Sequence, residues 1–161
     1  MTVNIKHLKP SKKSGFVQGY FPINECKKYL GTGPIIYRSA WEKKFCLYCE
    51  RNPAILSWSS EPVSIKYFSL VDHKYHTYYP DYLVKLTDGK IILAEVKPKA
   101  QLQKPQEPKR KTQKALESYK WSYNTWLTNV SKSNAAKEYA AVRGWDFIFV
   151  TESFFESKKI D

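Results

Sequence analysis

A tight hairpin limits what this chain can fold into more than any other feature. Tyr79-Pro80-Asp81-Tyr82 opens one stretch, Asp88-Gly89 supplies a turn, and Glu95-Val96-Lys97 closes the next. Asp-Gly between apolar runs favours a two-residue turn, because glycine takes positive φ without steric cost. We expect strands over 77–86 and 90–96. Ile91-Ile92-Leu93-Ala94 is apolar on both faces, which predicts the centre of a sheet. Residues i and i+2 of a strand share a face, so Glu95 and Lys97 are neighbours. Pro80 cannot donate to a ladder and marks a bend or a sheet edge. Register across the turn can then bring Asp81 close to Glu95.

Two carboxylates and an amine at one point suit a defined chemistry. Hard oxygen ligands at this spacing favour Mg²⁺ or Mn²⁺, with waters and a substrate phosphate completing the shell. Such a metal acidifies a water and neutralises charge on a phosphate, while Lys97 orients that water or stabilises the transition state. The plainer reading is a Pro-Asp turn and a surface pair of opposite charges. A third carboxylate bears on the choice. Residues 38–51 predict a helix, with Ser39 as N-cap and Glu42 three residues on. Trp41, Phe45 and Tyr48 form its apolar stripe, and Asn52-Pro53 ends it. Glu42 lies beside that stripe, where a carboxylate is costly unless paired or bound. It is a capping residue, a partner of Arg38, or a third acid of the site.

Charge selects the substrate class. Lys and Arg number 27 against 15 acids, a net charge of +12, which favours a polyanionic partner such as double-stranded DNA. Lys97, Lys99, Lys104, Lys109, Arg110, Lys111 and Lys114 run along the polar loop 98–111 and just beyond, where they can contact phosphates. No apolar run approaches the roughly 20 residues that span a membrane. The basic residues 1–13 lack the apolar core of a secretory signal. Three cysteines suit a reducing compartment better than a disulfide scaffold. Cys46 and Cys49 have zinc-pair spacing but lie mid-helix without a second pair, so packing is their expected role. His73 and His76 are expected in a solvated loop.

The remaining elements complete an α-β-β-β-α-β order. Residues 1–37 are rich in Gly, Pro and Lys and predict a basic arm, with a helical turn possible over 23–29 and Asn24 as its cap. A strand is expected over 63–69 and a hairpin loop over 71–76. Residues 114–130 carry Leu116, Tyr119, Tyr123, Trp126 and Leu127 at helical spacing, more consistent with core than with base stacking. Trp121 lies off that stripe and is the candidate for stacking. A second helical segment covers 134–143, capped by Gly144. A strand over 145–150 and a tail follow. The expected organisation is an arm (1–37), a core domain (38–152) and a tail (153–161).

The Pro-Asp…Glu-x-Lys pattern resembles the PD-(D/E)XK nuclease superfamily, whose restriction-endonuclease-like core is a mixed sheet flanked by helices. Ile36-Tyr37-Arg38-Ser39-Ala40-Trp41-Glu42, Trp58-Ser59-Ser60-Glu61-Pro62, the two hairpin blocks and Arg143-Gly144-Trp145 narrow the match. Together they resemble the head completion nucleases of T-even-type tailed phages, a group similar in its core to the TnsA endonucleases of transposons. The resemblance implies a Mg²⁺-dependent DNA endonuclease, with Mn²⁺ as a substitute. It implies Asp81 and Glu95 as metal ligands, Lys97 as the catalytic lysine and Glu42 as the helix carboxylate. Arg38, Lys99, Lys104, Lys109, Arg110 and Lys111 are the expected DNA contacts. Phage portal or neck proteins would be partners, in the virion or the cytoplasm of an infected bacterium. Glu61 has no chemical role assigned and can start a strand. A DNA-end-binding virion protein that cuts little, and a transposon or junction-resolving nuclease, are the alternatives.

Overall fold

The computed structural model describes residues 18–158. Expectations for 1–17, most of the basic arm's length before its first strand, and for 159–161 lie outside those residues. The chain runs β1 (Gly19–Phe21), β2 (Ile35–Tyr37), α1 (Ala40–Arg51), β3 (Ile55–Ser60), β4 (Ile65–Phe68), β5 (Tyr75–Tyr78), β6 (Tyr82–Leu86), β7 (Ile91–Val96), α2 (Gln113–Val142), β8 (Asp146–Val150) and α3 (Glu152–Lys158). Single 3-10 turns cover Ile23–Glu25 and Lys99–Leu102. The first of these is shorter than the turn expected over 23–29, and Pro22 is its N-cap rather than Asn24.

The central sheet has the order β3-β6-β7-β8. β6 and β7 pair antiparallel through the Asp88-Gly89 turn, where Gly89 takes φ +90°. β8 joins β7 in parallel, with α2 as the crossover. β7 is therefore interior, and Leu93 and Ala94 are wholly buried, as its two apolar faces predict. Alternation divides the faces. Tyr82, Val84, Ala94 and Val150 pack with Phe45, Cys46 and Cys49 of α1. Leu93, with Leu83 and Phe147, packs with Ala136 of α2 and with Tyr67 and Tyr78 of the β4–β5 hairpin. Ala136 and Ala140 are small enough to let α2 lie close to the sheet.

Several expectations need correction. The first core strand is β3, not the 63–69 segment. Three serines and a register irregularity between Ile55 and Ser57 blur the alternation of β3. Residues 65–68 instead form a separate antiparallel pair with 75–78, and the strand expected over 77–86 breaks at Tyr79-Pro80-Asp81. That places His76 on β5 rather than in a loop, bonded to Asp72 Oδ2 at 2.7 Å. The two helical segments after the loop are one helix. Ser131 and Ser133 donate to the carbonyls of Leu127 and Val130, so the serines are satisfied inside the helix rather than breaking it. The expected tail begins instead with α3, whose Phe155 stacks on Trp41 at 5.1 Å.

α1 forms as its capping signals predict. Ser39 Oγ accepts the Glu42 amide at 3.1 Å, and Glu42 Oε2 accepts the Arg38 amide at 2.7 Å. Phe45 meets Tyr82 at 5.0 Å between ring centres. Cys46 and Cys49 are fully buried packing residues, and burial pushes the Cys46 thiol up to about 12.

Residues of the expected arm are tied to the sheet's edge. The Trp58 amide donates to the Lys28 carbonyl at 3.0 Å, and the Leu30 amide donates to the Trp58 carbonyl at 2.9 Å. This covers the outer side of β3, which would otherwise present unpaired backbone groups. The Trp58 indole N–H and the amides of Lys27 and Lys28 all donate to the Glu50 carboxylate of α1.

Candidate active site

The β6–β7 register carries the site. Tyr82 pairs with Ala94, so one step outward Asp81 stands opposite Glu95. Asp81 Oδ2 accepts the Val96 amide at 2.7 Å, which fixes the carboxylate against β7. Glu95 is 7% exposed, and its Oε1 lies 3.2 Å from Lys97 Nζ. Its Oε2 is buried without a hydrogen-bond partner. The Lys97 amide donates to the Val150 carbonyl at 3.0 Å, so β8 holds the strand end in place. The triad expected from the hairpin therefore meets on the α2 face of the sheet.

The N-terminus of α1 brings Glu42 within electrostatic reach of that pair. The side chain caps α1, and its charge also acts on Asp81 and Glu95. Burial raises the pKa of Glu42 most; bonds to Arg38 and Ser39 oppose this, and Glu95 adds to it. Asp81 is held well above the usual carboxylate range by burial first, then by Glu95 and Glu42, against the Val96 amide and Lys97. Among the described residues, no three acidic, histidine or cysteine side chains gather as a metal cluster. Asp81 and Glu95 could hold a hard cation as a pair, with waters and a phosphate filling the other positions. The buried, unpartnered Glu95 Oε2 fits that use, because an orphaned carboxylate oxygen is otherwise costly.

Two residues serve the site in ways the sequence did not signal. Glu61 takes a left-handed backbone, φ 45°, at the end of β3. Its amide donates to the Asp81 carbonyl at 2.8 Å, and its carboxylate pairs with Arg38 at 2.9 Å. Glu61 thus braces the backbone of Asp81. Arg38, expected on DNA, has its guanidinium engaged by Glu61. Lys132 of α2 is the second. Its ammonium lies 5.6 Å and 5.8 Å from the ring centres of Tyr78 and Tyr67. It lines one cleft with Lys97, and burial first, then Lys97, lowers its pKa. One lysine among so many basic residues gave no signal of this. Lys99, Lys104, Lys109, Arg110 and Lys111 are all exposed along the loop leaving Lys97.

A mixed sheet flanked by helices, which carries Asp81, Glu95 and Lys97 at one end of its central hairpin, is consistent with an endonuclease fold. Residues 52–152 match the TnsA-like endonuclease N-terminal family, and the chain belongs to that family. It is similar to the head completion nuclease of Enterobacteria phage T4, 36% identical over 126 residues that cover 78% of this chain and 84% of that protein.

The raised carboxyls have a consequence for stability. As pH climbs through about 4, the unfolded chain gives up its carboxyl protons while folded Asp81 retains its own. The folded state then binds more protons, so stability falls as pH rises. Without metal, Asp81→Asn escapes this loss. In melts with EDTA, its melting temperature is expected to gain on the wild type as the pH rises from about 4. Parallel curves for the two proteins would contradict the assignment.

Proposed function

We propose that this chain is a Mg²⁺-dependent DNA endonuclease that acts in phage head completion. The observation that carries the catalytic reading is the Asp81–Glu95 pair in register, with Glu95 Oε2 buried and unpartnered and Lys97 at 3.2 Å. The similarity to a protein named for head completion supports the biological setting.

Asp81 and Glu95 would hold Mg²⁺, with Mn²⁺ able to replace it. The bound ion supplies charge neutralisation at the phosphate and acidifies the attacking water. Every other contribution comes from the chain. The Val96 amide orients the Asp81 carboxylate, and Glu61 fixes the backbone beneath it. Lys97 places positive charge where negative charge grows on the phosphate oxygens. Glu42 adds negative charge to the site, which strengthens its hold on a cation. The exposed bases from Lys99 to Lys111 give sequence-independent affinity for the DNA backbone, screened by salt. The phosphate must approach from the side of this loop, because the opposite sheet face is filled by α1.

Supercoiled plasmid incubated with Mg²⁺, with Mn²⁺ and with EDTA tests the reading. Nicking or linearisation with either metal, absent in EDTA and in Glu95→Gln, is the expected result. Plasmid left intact with both metals would refute catalysis and favour a DNA-end-binding role.

A further inference from the structure

α2 extends well past the core that anchors it. Its buried side chains begin only at Asn129, so residues 113–128 overhang. Of the apolar stripe expected there to be core, Tyr119, Tyr123, Trp126 and Leu127 are only partly buried, and Leu116 is 43% exposed. Between this overhang and the Lys99–Leu102 turn lies a cleft of about 370 Å³ that starts at Lys97. Gln101, Trp121, Asn124, Thr128 and Lys132 line it. A second cleft of about 440 Å³ shares Gln101 and Trp121 with the first and continues to Lys104 and Trp126.

We propose that this groove carries one unpaired DNA strand away from the scissile phosphate, with Lys97 and Lys132 on its backbone and a base stacked on Trp121. The proposal rests on the nuclease reading and adds the substrate's form: an end, flap or gap with a free single strand.

Three observations carry it. The groove leads directly from Lys97, so anything in it adjoins the Asp81–Glu95 pair. Cations stand at both ends, each held by aromatic rings. Tyr67 and Tyr78 hold Lys132, the Tyr78 hydroxyl donates to the Lys132 carbonyl at 3.0 Å, and Lys104 sits 5.8 Å and 5.9 Å from the rings of Tyr123 and Trp126. Between them the lining is amide and hydroxyl, which can bond sugars and base edges without regard to sequence. Trp121 is 69% exposed in the middle of this path, which leaves its ring face open for a base to stack on. Clefts of this volume are on the scale of a small ligand, and so of a nucleotide or two rather than a duplex.

Binding in EDTA separates this proposal from catalysis. The probes are a fluorescein-labelled deoxythymidine oligonucleotide and a blunt duplex of equal length, read by anisotropy and by intrinsic tryptophan fluorescence. Trp121→Ala is expected to weaken single-strand binding by about 5- to 150-fold, the range for loss of one stacked base, and to change duplex binding less than about twofold. Trp121→Phe should retain most single-strand affinity yet lose most of the fluorescence quenching. Lys132→Gln should lower the salt slope of single-strand binding by about 0.7. Equal losses for single strand and duplex, or no loss in any variant, would overturn the groove. If single-strand binding depends on Trp121 but no DNA is cut, the nuclease reading fails and the groove stands. If DNA is cut and single-strand binding ignores Trp121, the groove alone fails.

Discussion

Replacing Asp81 with asparagine is expected to slow DNA cleavage about 10³-fold or more while leaving the fold in place. The exchange is nearly isosteric. The asparagine carbonyl can still accept the Val96 amide, a bond of 2.7 Å in the wild type. What disappears is the charge of one of the two carboxylates proposed to hold the cation. Several kcal/mol of transition-state stabilisation depend on that charge, and about 4 kcal/mol corresponds to a thousandfold in rate. Binding to DNA should hold or tighten, because a negative charge is removed from the path of a polyanion. Single-turnover cleavage at saturating DNA, with affinity measured separately, checks both halves. A variant that cuts within tenfold of the wild type would mean that Asp81 is structural. Glu95→Gln should lose comparable activity, since it removes the charge of the other proposed ligand and leaves Lys97 without its partner.

Trp58→Ala should produce the largest loss of stability in the molecule, about 4 kcal/mol, or roughly 12 °C in melting temperature. Trp58 is 1% exposed and touches Phe21, Tyr29 and Tyr82, with Tyr29 nearest at 4.9 Å between ring centres. Truncation leaves a cavity among those rings. It also removes the indole N–H that lies 2.6 Å from Glu50 Oε1, exposing a part-buried carboxylate to a worse environment. The damage should spread to the strap over β3, because Trp58, Lys28 and Leu30 form one hydrogen-bonded patch. Trp58→Phe keeps most of the ring and loses only the donor, so it should cost less than half as much. Urea unfolding of the three proteins gives the comparison. Equal stability of Trp58→Ala and wild type would show that the N-terminal segment is not anchored there.

The hairpin was legible because its signals are local. Asp88-Gly89 specifies the turn, and the period of two sets which side chains share a face, so Asp81, Glu95 and Lys97 meet without knowledge of the rest of the chain. α1 was legible for the same reason, since Ser39 and Glu42 bond within one helical turn. β3 was not. Ser57, Ser59 and Ser60 carry little strand signal, and what makes the segment a strand is Trp58 buried between α1 and the N-terminal strap, a tertiary fact. The continuity of α2 was hidden similarly, because Ser131 finds its helical acceptor while also accepting the Leu70 amide from the β4–β5 unit at 3.0 Å. Lys132 and Glu61 join the site through contacts across long sequence separations, and no spacing rule reports those.

Glu42 has a further consequence for how the site works. Its carboxylate is held by the Arg38 amide and the Ser39 hydroxyl, the bonds that start α1. A free glutamate gives up about 1.5–2 kcal/mol of rotamer entropy when it is ordered. Here that entropy is surrendered during folding, as part of beginning a helix, and none remains to be lost when substrate arrives. The acid is preorganised by its structural duty. Any ligand that pulled the carboxylate inward would have to break its bonds to the Arg38 amide and the Ser39 hydroxyl, so the same bonds limit how far this side chain can move.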